Sequence, residues 1–535
     1  MDNSNIYLGG FMAAGKSTVG RLLAERTKRP FIDTDTLIEN REKMPVSEIF
    51  SIKGEDYFRN LEKKVVLETG ELKNTVIALG GGVLVDPFLR KFVKTSGKVI
   101  ILSVSAERVL ERAESEEGKR PLLDRDNLES LLGKRAASYS EGDLVIDTDK
   151  LTVDEEVKMI VEKFQLDVAS AGEYITLEGR AGGKEYPVFI GSGLLGRLDE
   201  MLPLDCTEPF VISDEMAGPL YSGKIFPNSG ILELPRGEEA KSLLSLEKIY
   251  SVLHKAGIDR YGSVLTLGGG TVGDAGGFAA ATWMRGIDLV NCPTTLLAQV
   301  DSAIGGKNGI NLPGGKNLAG TFYQPSCVIS DVNCLLTLSD KEYRQGLAEV
   351  VKYGLGHDKR FFSWLSVNAG PIMERKLDVL KEMVQWCIRI KLDIVEKDEK
   401  ESNGERARLN LGHTVAHGIE AASGYCTWKH GDSVSVGMIV VSYIALGKNE
   451  MSIQQFEDLY GLLRKFGLPA RSDMPWEEIL PYIGMDKKFQ GKSPRLVLPG
   501  GIGNSSLVSD IDLKTLENAY REVMTYGEKI GVSGC

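Results

Sequence analysis

The sequence is poor in histidine and tryptophan, with five of each in 535 residues. Its seven Cys (206, 292, 327, 334, 387, 426 and 535) are scattered, odd in number and never spaced C-x-x-C. That argues against a disulfide framework or a Cys-ligated zinc, and for reduced thiols in a cytoplasmic protein. No uncharged apolar stretch reaches about 20 residues and no secretory pattern is present, so neither membrane spanning nor export is expected. A formal net charge of −11 disfavours broad nucleic-acid binding. It leaves anionic substrates open, because local Lys and Arg clusters outweigh total charge at a site. There is no internal repeat and no low-complexity spacer. What remains is ordinary globular composition, and length alone suggests about three or four domains.

The apolar strand Ile6–Leu8 runs into GFMAAGKST, where Gly10, Gly15, Lys16 and Ser17 satisfy G-x-x-x-x-G-K-S, and a helix Thr18–Arg26 follows. Strand, loop and helix together make a P-loop, whose backbone N–H groups cradle phosphates while Lys neutralises charge and Ser ligates Mg2+. Ala13 stands where such loops often carry another Gly. The next strand ends in FIDTDTLIE, and alternation would turn Asp33 and Asp35 to the same side; a cap on a helix Leu37–Glu42 is the lesser reading of the pair. Arg59 of GEDYFR, Gly80–Gly82 after a strand Thr75–Leu79, Arg120 of KRPLL, and Arg135 with Tyr139 follow in compact order.

Taken together, P-loop, D-x-D, F-R, G-G-G, R-P-L-L and R-x-x-x-Y make the segment from about Asn5 to Phe164 similar to shikimate kinase. The resemblance implies that Ala13, Ala14, Gly15, Lys16, Ser17 and Thr18 hold ATP phosphates. It implies Mg2+ on Ser17, supported by Asp33 through water. Asp35, Arg59, Gly81 and Arg135 would grip shikimate, with Asp35 placed to accept the hydroxyl proton. Arg120 would come from a lid onto the phosphates, and Arg112 would pack on adenine. Phosphoryl transfer needs positioning and charge neutralisation more than covalent chemistry, which this set supplies.

A linker is expected near residues 165–172, and short strands then alternate with helices to about Leu335, the pattern of an open, Rossmann-like α/β sheet. The strand Phe210–Ser213 ends in Asp214, which suits a ribose. In RGEEAK, Glu238 and Lys241 lie one helical turn apart, which a surface ion pair also explains. The strand Ser263–Leu267 meets Gly268, Gly270 and Gly273, a G-x-G-x-x-G match, before a helix Asp274–Met284. Alone that match is weak, because the chain has 60 glycines. Arg285, Asp301, Lys307, Lys316 and Asn317 then sit among tight turns, as a phosphorylated, hydroxylated ligand requires.

Long helical patterns dominate from Leu336. Three of the five His lie in one 18-residue span, as His413, His417 and His430. With Glu349, His413 and His430 form a two-imidazole, one-carboxylate set, the composition of a catalytic zinc site with an open position. A helix starting near Glu405 would place Arg406, Asn410, His413 and His417 on one stripe. Glu349 and Lys352 share another helix face.

From about Glu173 to Gly503 the chain resembles 3-dehydroquinate synthase, which uses NAD and a divalent metal, Zn2+ or Co2+. The resemblance implies nucleotide contacts from Asp214, Arg236, Gly237, Glu238, Glu239, Ala240 and Lys241. It adds Gly270, Thr271, Val272, Gly273 and Asp274, then Thr294, Thr295, Lys307 and Lys316, and last Cys334, Leu335, Leu336 and Thr337. Substrate would be gripped by Arg285, Asp301, Lys307, Asn317, Lys352, Lys391, Arg406, Asn410, His417 and Lys488. Of these, Lys307, Lys352, Arg406, Asn410 and His417 would also take part in catalysis, as would Lys16, Asp35 and Arg120 in the kinase half. Metal-assisted hydride transfer to NAD+, loss of phosphate, return of the hydride, ring opening and aldol closure would follow. The expected protein is α/β: a P-loop kinase domain with a parallel sheet and flanking helices over 1–168, a Rossmann-like NAD domain over 169–335, and a mainly helical metal and substrate domain over 336–535. It would serve the shikimate pathway with small-molecule substrates, without nucleic acid or membrane, as a cytoplasmic homodimer through the second half. A metal- and NAD-dependent polyol dehydrogenase fused to a small-molecule kinase is the alternative, and a non-catalytic protein built from degenerated enzyme domains is another.

Overall fold

The computed structural model describes residues 4–27, 29–109, 135, 138–166, 174–203, 206, 208–225, 230–425, 427–483, 489–490 and 493–529. Contacts divide the chain into two compact units. The first is Met1–Ala171 with Pro219–Gly223 and Leu336–Ser339; the second is the remainder.

In the first unit, β1 (Asn5–Gly10), β2 (Phe31–Asp33), β3 (Val76–Ala78), β4 (Gly97–Ser103) and β5 (Leu144–Asp147) form a parallel sheet in the order β2-β3-β1-β4-β5. All six β1 residues are buried, as a central strand covered on both faces requires. Ile6, Leu8, Ile100 and Leu102 pack with Val19 and Leu23 of the helix Lys16–Thr27 and with Val157 and Ile160 of the helix Val153–Phe164. That last helix opens on a complete capping box between Thr152 and Glu155, which satisfies two otherwise orphaned first-turn donors.

The second unit holds a seven-stranded sheet built from β6 (Ile175–Ala181), β7 (Lys184–Gly191), β8 (Phe210–Asp214), β9 (Ile231–Leu234), β10 (Ser263–Gly268), β11 (Asp288–Pro293) and β14 (Cys327–Asp331). Its order is β6-β7-β14-β11-β10-β8-β9, parallel except for the β6–β7 hairpin. Between β11 and β14 the chain makes an antiparallel hairpin, β12 (Lys307–Leu312) and β13 (Gly315–Phe322). The helix after β10 spans Gly270–Thr282, starting four residues before the Asp274 expected from sequence. Glycine's low helix propensity is outweighed there by packing of Val272, Ala275 and Ala279 onto the sheet.

After Asp340 the unit is mainly helical. The helices Asp340–His357, Leu377–Lys397, His413–Ala422 and His430–Gly447 carry the residues of interest. His430–Gly447 is the one helix among the described residues long and apolar enough to cross a membrane, and 72% of it is packed in the interior. The helix expected from Glu405 does not form. Arg406–Asn410 is a short 3-10 turn, and Gly412, at φ 79°, breaks the chain before the helix starts at His413. A Cβ on Gly412 would lie 2.7 Å from the Met438 backbone nitrogen, so the break also lets two helices touch.

Candidate active sites

The P-loop follows β1 and wraps the start of the first helix. Lys16 Nζ donates to the carbonyls of Gly10 (3.1 Å) and Phe11 (2.9 Å), and Ala13 takes a left-handed conformation at φ 59°, a cost of about 1 kcal/mol for a residue with a Cβ. Ala14, Gly15 and Thr18 complete the loop and helix start. Ser17 Oγ donates to Asp33 Oδ2 at 2.5 Å, a pairing in position to share Mg2+. Alternation does not relate Asp33 to Asp35, because β2 ends at Asp33 and Asp35 lies in the first helical turn. Asp33 Oδ1 instead caps that helix, accepting from the backbone nitrogens of Asp35 and Thr36.

Asp35 is pushed up to about 6 by burial and by the carboxylates of Asp33 and Glu62. A Cβ placed on Gly80 would meet Asp35 Oδ1 at 2.6 Å and Glu62 Oε1 at 2.5 Å, so these two acids converge over the glycine turn. Arg59 pairs with Glu62 at 2.8 Å, and Arg135 Nη1 (2.9 Å) and Tyr139 Oη (2.8 Å) both donate to the Gly81 carbonyl. The cluster therefore presents two guanidiniums and a carboxyl that titrates near neutrality. Glu62 carries no motif and was not foreseen. Arg112 and Arg120 lie outside the described residues.

At the second unit's sheet, the first turn of the helix Gly270–Thr282 (Gly270, Thr271, Val272, Gly273) has no side-chain cap, leaving backbone N–H groups at a helix N-terminus where phosphate binds readily. Asp214 lies over Gly268, with Oδ1 accepting from Met216 and Ala217 nitrogens. The side chains of Glu238 and Lys241 do not pair with each other, although Lys241 N donates to the Glu238 carbonyl. Lys241 Nζ donates to Asp274 Oδ2 and Asn317 Oδ1, both at 2.5 Å, while Glu238 meets Lys316 (3.1 Å) and Asn311 (2.6 Å). The 3-10 turn Gly237–Ala240, after Arg236 and including Glu239, thus ties to the β12–β13 hairpin. Thr294 N donates to the Gly268 carbonyl, and Thr295 Oγ1 accepts from Ala298 N. Cys334, Leu335 and Leu336 end a buried 3-10 turn; Leu336 and Thr337 group with the first unit. Arg285 stands exposed on a left-handed turn at φ 69°, without contact to this set.

Farther along, Asp301 sits in a wide i→i+5 turn, Ala298–Ser302, a geometry concentrated at functional sites. Its Oδ1 accepts from Tyr353 Oη (2.7 Å) and Lys391 Nζ (2.8 Å). Burial opposes its charge, but Lys391 and Lys352 hold its carboxyl well below the usual range. Burial in turn pushes Lys391 down to about 8. Arg406 donates to the carbonyls of Gly305 (2.9 Å) and Glu399. Glu401 bridges Lys307 (2.6 Å) and Asn410 (3.1 Å). Lys488 lies outside the described residues.

Glu349, His413 and His430 bring one donor atom each within 4.8 Å of one another. From Glu349 Oε1 the separations are 3.4 Å to His413 Nε2 and 3.0 Å to His430 Nε2. Two ligands at about 2.0–2.1 Å on a tetrahedral ion stand about 3.3 Å apart, so these lengths match a coordination edge. His413 Nδ1 is 3.1 Å from the Leu411 carbonyl, which can only accept, an arrangement that favours the tautomer with its proton on Nδ1 and a lone pair on Nε2. Burial holds this ring neutral by lowering its pKa. A lone pair therefore faces a buried carboxylate oxygen, and a cation between them relieves the clash. Burial disfavours charge on His430 too, but Glu349 and Glu420 outweigh it and push the ring up to about 10. Its Nδ1 lies 2.8 Å from Glu420 Oε1, the carboxylate–histidine arrangement that orients metal ligands. Lys352 Nζ is 2.5 Å from Glu349 Oε2, and the His417 ring stands edge-on to His413. Glu420 and Tyr353 were not foreseen; only a folded helix pair shows their reach.

Family comparisons match residues 12–165 to shikimate kinase, 231–345 to 3-dehydroquinate synthase N-terminal and 346–489 to 3-dehydroquinate synthase C-terminal. The 3-dehydroquinate synthase of Halorhodospira halophila is 40% identical over 349 residues, covering 64% of this chain and 98% of its own. That of Colwellia psychrerythraea is 40% identical over 344 residues, covering 63% and 97%. Among solved structures, a 2-deoxy-scyllo-inosose synthase complexed with carbaglucose-6-phosphate, NAD+ and Co2+ superposes with a TM-score of 0.58 at 26% identity, covering 65% of this chain and all of its own. The 2-epi-5-epi-valiolone synthase of Streptomyces hygroscopicus shares the fold at 22% identity and a TM-score of 0.59, covering 67% and 99%.

Proposed function

We propose, for a chain that belongs to the 3-dehydroquinate synthase family and carries a shikimate kinase domain ahead of it, a residue-level division of labour between two independent sites. The two activities are steps of the shikimate pathway: ATP-dependent phosphorylation of shikimate, and conversion of 3-deoxy-D-arabino-heptulosonate 7-phosphate to 3-dehydroquinate with release of phosphate.

In the kinase half, Lys16 and the loop amides bind ATP phosphates, and Ser17 and Asp33 hold Mg2+. Arg59, Gly81 and Arg135 hold shikimate so that its hydroxyl meets Asp35. A carboxyl near 6 is part-ionised at neutral pH and can take that proton.

In the synthase half, Glu349, His413 and His430 hold Zn2+ or Co2+, and the NAD+ and Co2+ of the related inosose synthase support both cofactors here. When bound, the metal would supply Lewis-acid polarisation of a substrate hydroxyl and the nicotinamide a reversible hydride acceptor. The Gly270 helix start would hold the pyrophosphate, and Asp214 and the Glu238–Lys241 turn would hold the ribose. Lys352, Lys391 and Arg406 are buried cations against which a carboxylate or phosphate forms charge-assisted hydrogen bonds. Asp301 keeps Lys391 oriented, and Lys307, Asn410 and His417 close the remaining side.

The carrying observation is the convergence of Glu349, His413 and His430, which bring one donor atom each within 4.8 Å of one another. Glu349→Ala is expected to abolish phosphate release from the heptulosonate substrate while shikimate phosphorylation continues; Lys16→Ala does the reverse. Loss of both activities from either change overturns the assignment of independent sites. The reading includes a cytoplasmic homodimer through the synthase half. Buried cysteines such as Cys292, Cys327 and Cys387 support the compartment, and light scattering on the purified chain tests the dimer.

A further inference from the structure

The helix His430–Gly447 begins with a metal ligand yet has no cap of its own: Lys429, at the N-cap, makes no side-chain cap bond. Two of its first-turn N–H groups are satisfied from another helix. Gln345 Oε1 accepts from Gly431 N (2.7 Å) and Asp432 N (3.3 Å), while Gln345 Nε2 donates to Asp432 Oδ2 at 2.9 Å. Gln345 is 6% exposed and lies one turn before Glu349 on the helix Asp340–His357. The two backbones all but touch, since a Cβ on Gly431 would sit 2.3 Å from the Gln345 carbonyl oxygen. An uncapped helix start normally frays or turns to water; this one is bolted to the helix that carries the carboxylate ligand.

We infer that Gln345 is a positioning residue for the cation site, fixing His430 relative to Glu349 and so setting how tightly the trio holds a divalent metal. The inference rests on the metal reading above. Gln345 touches none of the three donor atoms. It acts through the His430 backbone, while Glu420 orients the ring from the far side. His413 is held separately by the Leu411 carbonyl, so losing Gln345 displaces one ligand and leaves two.

The test uses the full chain stripped of metal, titrated with Co2+ against a chromophoric chelator and followed by visible absorbance. Gln345→Met keeps the side-chain length and removes all three hydrogen bonds. Its Co2+ dissociation constant is expected to rise about 10- to 100-fold, the range for residues that support metal ligands. At saturating Co2+ the variant should keep the wild-type KM and recover kcat, because no substrate contact is lost. Binding within twofold of wild type overturns the inference. Should Gln345→Met fail to fold, Gln345→Glu keeps the oxygens that cap the helix but sets a carboxylate against Asp432. Weakening by tenfold or so supports the inference, and unchanged affinity overturns it. If the wild type takes up no Co2+, or Glu349→Ala binds it with an unchanged spectrum, the metal reading itself fails.

Discussion

Lys352→Met should uncouple metal binding from turnover in opposite directions. Lys352 and Glu349 are 2% and 1% exposed at the side chain, with Nζ 2.5 Å from Oε2. Removing one partner of such a pair leaves an uncompensated buried charge and costs about 3–5 kcal/mol. For a unit this large, that lowers the apo melting temperature by about 4–7 °C. A divalent ion at Glu349 restores part of the compensation, so the loss should shrink by about 1.4 kcal/mol, to about 2–4 kcal/mol, with metal bound. The same geometry makes Lys352 a cation beside a cation site, and its removal should tighten metal binding by about tenfold, or 1.4 kcal/mol. Calorimetry with and without excess Zn2+ reads both effects, and phosphate release should fall at least 100-fold if Lys352 serves as the proposed substrate cation. Equal destabilisation in the apo and metal-loaded forms would refute the reasoning, as would weaker metal binding by the variant.

Burial lowers His357 to about 3, and its Nε2 has no hydrogen-bond partner. The folded ring is neutral where the unfolded ring is protonated below 6.5, so the unfolded state binds more protons and stability falls as pH drops from 6.5 toward 3. At pH 4.5 the loss is about 3 kcal/mol; urea midpoints should show a slope that His357→Phe flattens, and an unchanged slope would count against it. Gly412→Ala places a methyl 2.7 Å from Met438 N at φ 79° and should cost about 2–4 kcal/mol in urea unfolding, with weaker metal retention through His413. Asn5 donates to the Thr69 and Leu72 carbonyls and accepts from Thr75 N in the interior. Asn5→Ala should cost about 2–3 kcal/mol by orphaning them, seen as a lower kinase-half melting temperature with synthase activity intact.

The sites were legible in sequence where a ligand's grip is contiguous along the chain or where a residue type is scarce. The P-loop is one turn of backbone, so its spacing is its structure. The metal trio stood out because three of five histidines fall within 18 residues, although Glu349 and His430 lie 81 positions apart. Expectation failed where one residue's conformation breaks a pattern that spacing alone would continue. The stripe expected from Arg406 to His417 is interrupted by Gly412, whose left-handed backbone turns the chain so that Arg406 and Asn410 lie on a 3-10 turn and His413 and His417 on a helix. At Asp33 a strand and a helix share one residue, and capping displaces alternation. Gln345, Glu420, Tyr353 and Glu62 were invisible for a different reason. Each acts across the gap between elements distant in sequence, and only packing sets that gap. Where two helices approach so closely that only Gly431 fits, an ordinary glutamine becomes the cap of a neighbouring helix. The chemistry of these sites is written in residue types; their precision is written in the small residues that let helices meet.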